Sequence, residues 1–485
     1  MEHIKTKRKT LCILILVLVC NFMFSTGISW TRYNYRFYFS GYRCVPNETI
    51  FQKDDVFDSV TCGRMCYVTK QCLSYVYQPD SHQCIGCRVH GEKWAGHYDA
   101  LPGSMYLSRS CDQTYLRVGY YDSPAIYRSG GKYTPDNVDA RLCTHIIYSF
   151  AGIANNTLRM ALLNDGKMFK KLQKLKVSNP CLKTLIAVGG YEGASSDYSL
   201  MMESKENRLK FIESARSFLR TYGFNGVDLK WEHSVQESKP EDKQNLVLLA
   251  KEMKEAFVID GYLLSAEVPA RQWEIEGKYD EKALAEHLDF IHVTTYDLHL
   301  DMHTNSYTGL HSPLYLSSQA LAEDTSLNSA AEYWISKGVP KKKLIIGIAT
   351  YGRTFTLLNE GESMIDAPTI GLGGPGEFTL KPGLLSYYEI CLMQERGLGI
   401  EHWDDEQKGP YYVNRLLWVG YDNVRSISEK MSWLKEKGYG GVVMNSLDLD
   451  DYGQVCKSSS RPYPLLNAIN DHLTSGLEKT AQDQK

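Results

Sequence analysis

GFNGVDLKWEH, Gly223 to His233, is the stretch on which the reading of this chain turns. The preceding segment, ENRLKFIESARSFLRTYG, repeats at helical spacing. Leu209, Ile212, Ala215 and Leu219 share one face, with Phe211 and Phe218 beside them. Gly223 ends that pattern, as helices commonly end. A strand then follows directly. Side chains alternate along a strand, so Asp228, Lys230 and Glu232 all point to one side, about 6 to 7 Å apart in succession. Three ionisable groups in a row on a buried strand read as a working or formerly working chemical site. The competing reading is a paired ion cluster that only fills space.

Working outward, seven more short apolar runs alternate with helix-length segments. LRVGYY, THIIYSF, TLIAVGG, GVDLKWE, YLLSAEV, FIHVTTYD, KLIIGIATYG and GGVVMNSLD all read as buried parallel strands. That alternation predicts the α/β class and a (β/α)8 TIM barrel. Such barrels place their sites at the C-terminal ends of the strands, which is where Glu232 falls on the fourth run.

The chain has 485 residues, with 54 basic and 57 acidic side chains. Two or three domains fit that length. The near balance of charge speaks against a nucleic-acid partner. MEHIKTKRK followed by LCILILVLVCNFMF and Ser25-Thr26-Gly27 has the order of a secretory signal over residues 1–27. An uncleaved signal anchor is the alternative, although a span needs roughly 20 apolar residues. The expected location is therefore extracellular. Thirteen cysteines suit that compartment. Cys12 and Cys20 leave with the signal, so an odd number stays behind. Cys44, Cys62, Cys66, Cys72, Cys84, Cys87 and Cys111 crowd one short region, which predicts a disulfide-stapled domain over 28–112. Sequons at Asn47 and Asn155 fit the same compartment. No phosphate-binding glycine loop or metal cluster stands out, and neither cofactor nor metal is expected. The Asp448-Leu449-Asp450-Asp451 run lacks the spacing of a calcium hand. Residues 476–485 read as a frayed tail.

Two resemblances add to this reading. CGRMCYVTKQCLSYVYQPDSHQCIGC resembles a PAN/apple domain. The resemblance implies a two-cysteine helix on a small sheet, a Cys44–Cys111 bridge closing the ends and a Cys66–Cys72 inner bridge. Cys62 would take Cys84 or Cys87. It also implies protein or carbohydrate partners, extracellular-matrix proteins among them. The rest, about 115–475, resembles the glycoside hydrolase family 18 chitinases. LCTHIIYSFAG, KTLIAVGGYEG, FLRTYGFNGVDLKWE, LDFIHVTTYDLH, TGLHSPLY, GIATYGRTFTL, SYYEIC, WVGYD, GGVVMNSLDLDDYG and YPLLNAI carry it. It implies a small α+β insertion at about 351–421 and a Cys391–Cys456 bridge. The family's first-strand cysteine is Gly119 here, which orphans Cys143. Neighbouring strands lie about 4.8 Å apart, so a replacement Cys143–Cys181 bridge is expected.

The family motif is Asp-Gly-x-Asp-x-Asp-x-Glu. Here it reads Asn225-Gly226-Val227-Asp228-Leu229-Lys230-Trp231-Glu232. The resemblance makes Glu232 the general acid and retains Asp228, Tyr296 and Asp297. Asn225 and Lys230 depart from it. In substrate-assisted cleavage the sugar's own N-acetyl oxygen attacks the anomeric carbon. A protonated lysine beside the developing cation cannot accept the amide hydrogen bond. It also lowers the pKa of a neighbouring acid by about 1 to 3 units. The implied glycan-contacting set is Gly190, Tyr191, His233, Thr294, Tyr351, Arg353 and Asn445. Sugar-stacking tryptophans are missing: the expected positions hold Asn445, Tyr191, Pro124, Leu163 and Met302. Three functions follow as expectations. The first is a secreted chitinase-like protein that binds chitin or related N-acetylglucosamine glycans with little or no hydrolysis. The second is a slow chitinase. The third is an adhesion protein acting through its PAN domain. The oligomeric state is not legible.

Overall fold

The computed structural model describes residues 35–45, 49–69, 72–88, 98–109, 111, 113–190, 194–231, 239–299, 307–321 and 324–474. The signal segment, Asn47, Tyr191, Glu232, His233, Met302 and the tail lie outside the described residues. The chain divides into two compact units between Asp112 and Gln113.

The first unit is an antiparallel sheet of five strands, Tyr35–Cys44, Thr49–Lys53, Ser74–Gln78, Gln83–Cys87 and Tyr98–Arg109. In space they run first, fifth, third, fourth, second. Asp58 caps the helix Ser59–Val68 by accepting from the Thr61 amide at 2.8 Å. Cys62–Cys84 and Cys66–Cys72 tie this helix to the sheet and to the segment after it. Cys44 bonds Cys87, which corrects the expected Cys44–Cys111 bridge. The register gives the reason. Cys44 pairs with Tyr98 while Tyr35 pairs with Arg109, so Cys111 follows the far end of that strand pair. The strand Thr49–Lys53 then returns along Gln83–Cys87, with Thr49 opposite Cys87. That return brings Cys44 beside Cys87.

The second unit is built on a sheet of nine strands. Its parallel strands, first to eighth, are Leu116–Asp122, His145–Ala154, Lys183–Gly189, Gly226–Lys230, Leu263–Val268, Phe290–Val293, Leu344–Ala349 and Gly441–Asn445. Each pairs with its sequence neighbour, and the eighth and second both pair with the first, which closes a barrel. The ninth member, Thr157–Met160, folds back on the second strand. Its turn is the exposed Asn155 and the half-buried Asn156, both at positive φ, a backbone that asparagine tolerates well. Apolar side chains from both faces of the strands are buried, which is why these strands read as continuous apolar runs. Val118, Ile147, Leu185, Phe290, Ile345 and Val443 fill the inside.

The helix Lys205–Tyr222 starts on Ser204, which accepts from the Asn207 amide, and stops at Gly223 in the left-handed region at φ 75°. Its buried face holds Arg208, Phe211, Ile212, Ala215, Phe218 and Leu219. Leu209 is 45% exposed and is not part of that face, contrary to the pattern read from sequence. Arg208 takes the inward place because its guanidinium forks onto Glu252 at 3.0 and 2.9 Å. A binary pattern scores that arginine as polar and therefore outward.

Between the seventh and eighth strands the chain forms a second sheet of six strands within 351–420, with the helix Tyr387–Glu395 against it. Cys391 of that helix bonds Cys456, beyond the eighth strand. The expected Cys143–Cys181 bridge is not formed. Cys143 is a free thiol, 1% exposed, packed among apolar side chains, and Cys181 is disulfide-bonded elsewhere. The strand register does bring the two backbones alongside, but Cys143 turns inward and Cys181 is half-buried. Burial pushes the Cys143 thiol up to about 12. Native protein should therefore resist alkylation at Cys143 near neutral pH, and should take the label after unfolding without reductant. Non-reducing peptide mapping that recovered a Cys143–Cys181 pair would contradict this arrangement.

Candidate active site

The C-terminal ends of the fourth to sixth and eighth strands line a cleft of about 430 Å³. The fourth strand contributes residues at three depths. Asn225, just before it, accepts from the Thr184 amide at 3.0 Å through its side chain. Its own carbonyl receives the Leu263 amide at 2.8 Å. Asn225 thus staples the lower ends of the third, fourth and fifth strands and takes no part in the cleft.

Asp228 lies deeper than the cleft floor and is fully buried. Tyr120 donates to its Oδ2 at 2.7 Å, and Ser265 donates to Oδ1 at 2.5 Å. His292 Nε2 donates to the same Oδ1 at 2.8 Å. Burial by itself would raise this carboxyl. The charge and hydrogen bond of His292, with those of Ser265 and Tyr120, outweigh it and hold Asp228 below the usual carboxylate range. Its oxygens are committed to three strands of the barrel interior.

Lys230 reaches the cleft. Its Nζ sits 2.9 Å from Glu267 Oε1, with side-chain exposures of 15% and 6%. Parallel pairing sets these residues directly opposite each other on the fourth and fifth strands. The ammonium also lies 5.2 Å from the centroid of Phe150, within reach of a cation–π attraction. Gly190, at φ 68°, makes the room: a Cβ there would stand 2.7 Å from the Phe150 ring and 2.8 Å from Lys230 Cδ. Glu267 was not singled out from the sequence. The signal was present in LLSAEV, where one carboxylate interrupts an apolar strand that must pair beside Lys230.

Tyr296 and Asp297 follow the sixth strand. Tyr296 is buried, and its hydroxyl is pushed well up by burial and by the nearby Glu267 charge. Its ring meets Tyr351 edge-on, centroids 6.4 Å apart. Arg353 forks onto Asp297, Nε at 2.7 Å and Nη2 at 2.6 Å, and His311 lies 3.4 Å from Oδ1. Burial acts to raise the Asp297 carboxyl, but Arg353 and His311 hold it well below the carboxylate range. Tyr351 and Arg353 belong to the second sheet, so that sheet supplies part of the cleft's support. Thr294 is spent locally, its amide and hydroxyl both donating to the Val268 carbonyl. Asn445 ends the eighth strand on the cleft wall. Gly190, Lys230, Thr294, Tyr296, Asp297, Tyr351, Arg353 and Asn445 thus gather around the barrel mouth. Glu232, His233 and Tyr191 lie outside the described residues.

Two outcomes are expected. Glu267→Ala removes a carboxylate paired with a largely buried ammonium and should lower unfolding free energy by about 1 to 3 kcal/mol. Adding Lys230→Met should restore most of it, as urea midpoints would read. Asp297 has a folded pKa below its ordinary 3.8, so its pairing stabilises fully above that value. The benefit is lost as pH falls toward the folded pKa, because the unfolded chain takes the proton first. The stability gap between wild type and Asp297→Asn should then be wide at pH 7 and narrow progressively below about pH 4.

Comparison with known proteins places this geometry. The family model for glycosyl hydrolases family 18 matches residues 117–450. Chitotriosidase-1 of Mus musculus is 38% identical over 368 residues, covering 73% of this chain and 77% of that protein. An immunomodulatory active chitinase from Trichuris suis superposes with a TM-score of 0.70 at 35% identity, over 74% of this chain and 100% of that one. Human YKL-39, described as a pseudo-chitinase with retained chitooligosaccharide binding, gives a TM-score of 0.69 at 35% identity over 74% and 100%. With the closed barrel, its inserted sheet and the cleft at the strand ends, these matches establish that the chain belongs to glycosyl hydrolase family 18 and is chitinase-like.

Proposed function

We propose that the barrel unit binds N-acetylglucosamine glycans such as chitin and hydrolyses them weakly or not at all. One observation carries this reading: the Lys230–Glu267 ion pair at the cleft floor. Substrate-assisted cleavage builds positive charge on the sugar as the N-acetyl oxygen attacks. An unpaired anion beneath that charge would stabilise it. Here the floor presents an ammonium whose neighbouring carboxylate is already neutralised. Loss of comparable preorganised electrostatics costs about 100- to 1000-fold in rate. Asp228, the other motif carboxylate, is buried below the cleft floor and bonded to Tyr120, Ser265 and His292.

The likeness to a pseudo-chitinase that retains oligosaccharide binding supports recognition without cleavage. A slow chitinase is the second reading. The intact Asp297–Arg353 fork and the likeness to an active chitinase favour it. We further infer an extracellular location from the N-terminal signal pattern. The disulfide-stapled first unit is inferred to be a PAN/apple-type adhesion module for matrix proteins or glycans.

Hydrolysis of chitooligosaccharides separates the two readings. Wild type should be inert or slow. Lys230→Asp alone should gain little, because it sets two carboxylates side by side. Lys230→Asp combined with Glu267→Ala should gain activity that a further Glu232→Gln removes. Rapid wild-type cleavage abolished by Glu232→Gln would overturn the proposal in favour of an enzyme.

A further inference from the structure

We propose that Trp273 is a sugar-stacking platform, so that a bound glycan lies against the loop after the fifth strand. The inference rests on the glycan-binding reading above. Trp273 sits in the short helix Gln272–Ile275 on the wall of the cleft that holds Lys230, Glu267 and Tyr296. It is 56% exposed, whereas Trp231, Trp334, Trp418 and Trp433 are 3% exposed or less. Packing does not account for it, because Ile275 is the residue that buries this helix. A large apolar ring left in a cleft otherwise rich in charge marks a contact surface.

The loop is held ready. Arg271 donates to the Asp297 carbonyl at 2.8 Å and to Glu274 at 3.2 Å. Tyr279 donates to the Trp231 carbonyl at 3.0 Å. The platform is thereby fixed to the ends of the fourth and sixth strands, which reduces the ordering cost of binding. Glu274 and Lys278 also line the cleft and offer an acceptor and donors to sugar hydroxyls. Lys278 Nζ lies 6.0 Å from the Trp273 ring centroid. Among the described positions where the sequence resemblance leads one to look for tryptophan, Asn445 is amide, and Pro124 and Leu163 are exposed aliphatic side chains. The flat face for a pyranose ring has moved from the eighth-strand side of the mouth to the fifth-strand loop. The ligand class is a β-linked N-acetylhexosamine chain, whose ring presents an apolar face to the indole.

The test is calorimetric titration with N-acetylated chitohexaose, with tryptophan emission followed in parallel. Trp273→Ala should bind about tenfold more weakly or worse. Trp273→Phe should keep most of the affinity while losing the ligand-induced change in emission. Both should melt with wild type, since the side chain is exposed. If Trp273→Ala binds as tightly as wild type, or Trp273→Phe keeps the emission change, the platform is refuted and glycan binding stands. If wild type does not bind at all, the glycan-binding reading falls and the platform with it.

Discussion

The parallel register of the fourth strand between the third and the fifth is the constraint on which the site depends. It puts Lys230 opposite Gly189 on one side and Glu267 on the other. A lysine in a barrel mouth is costly if it is left alone, because desolvation penalises its charge. Beside Glu267 the same lysine is half of a neutral pair. Lys230, which departs from the family motif, is therefore to be read together with its partner Glu267.

Depth along one strand sorts the remaining motif positions. Asn225 ties strand ends together at the base. Asp228 is sealed in the interior by donors from the first, fifth and sixth strands. Lys230 reaches the floor of the cleft. Spacing of two residues keeps a common direction but shifts height, so neighbours in the motif meet different surroundings. Sharing a face did not give Asp228 and Lys230 a shared task.

Support from outside the barrel is equally specific. The Asp297 carboxylate is gripped by Arg353 from the inserted sheet, and the Asp297 carbonyl receives Arg271 from the fifth-strand loop. The sixth-strand end is thus fixed from two directions by residues far apart in the chain. A cleft braced in this way suits recognition of a rigid, extended ligand, with a small reorganisation cost on binding.

The eight apolar runs, their order and the closed parallel sheet were legible in the sequence, because each buried strand carries its own local pattern. So was the odd lysine, since two-residue alternation needs no tertiary knowledge. Cys66–Cys72 and Cys391–Cys456 were legible through the family resemblances and are formed. Cys66–Cys72 spans a few residues, whereas Cys44 chose Cys87 over Cys111 through strand register, and Cys143 was left free by the direction of its side chain. The inward Arg208 and outward Leu209 reversed a binary pattern because Glu252, on another helix, neutralises the arginine. Glu267, Ser265 and His292 acquire their meaning only across strands, and Trp273 only from its place on the cleft wall. The sequence by itself determined the fold and marked the altered strand. Tertiary structure decided the partner of each charge, because ion pairing and desolvation depend on distances between segments that sequence order does not encode.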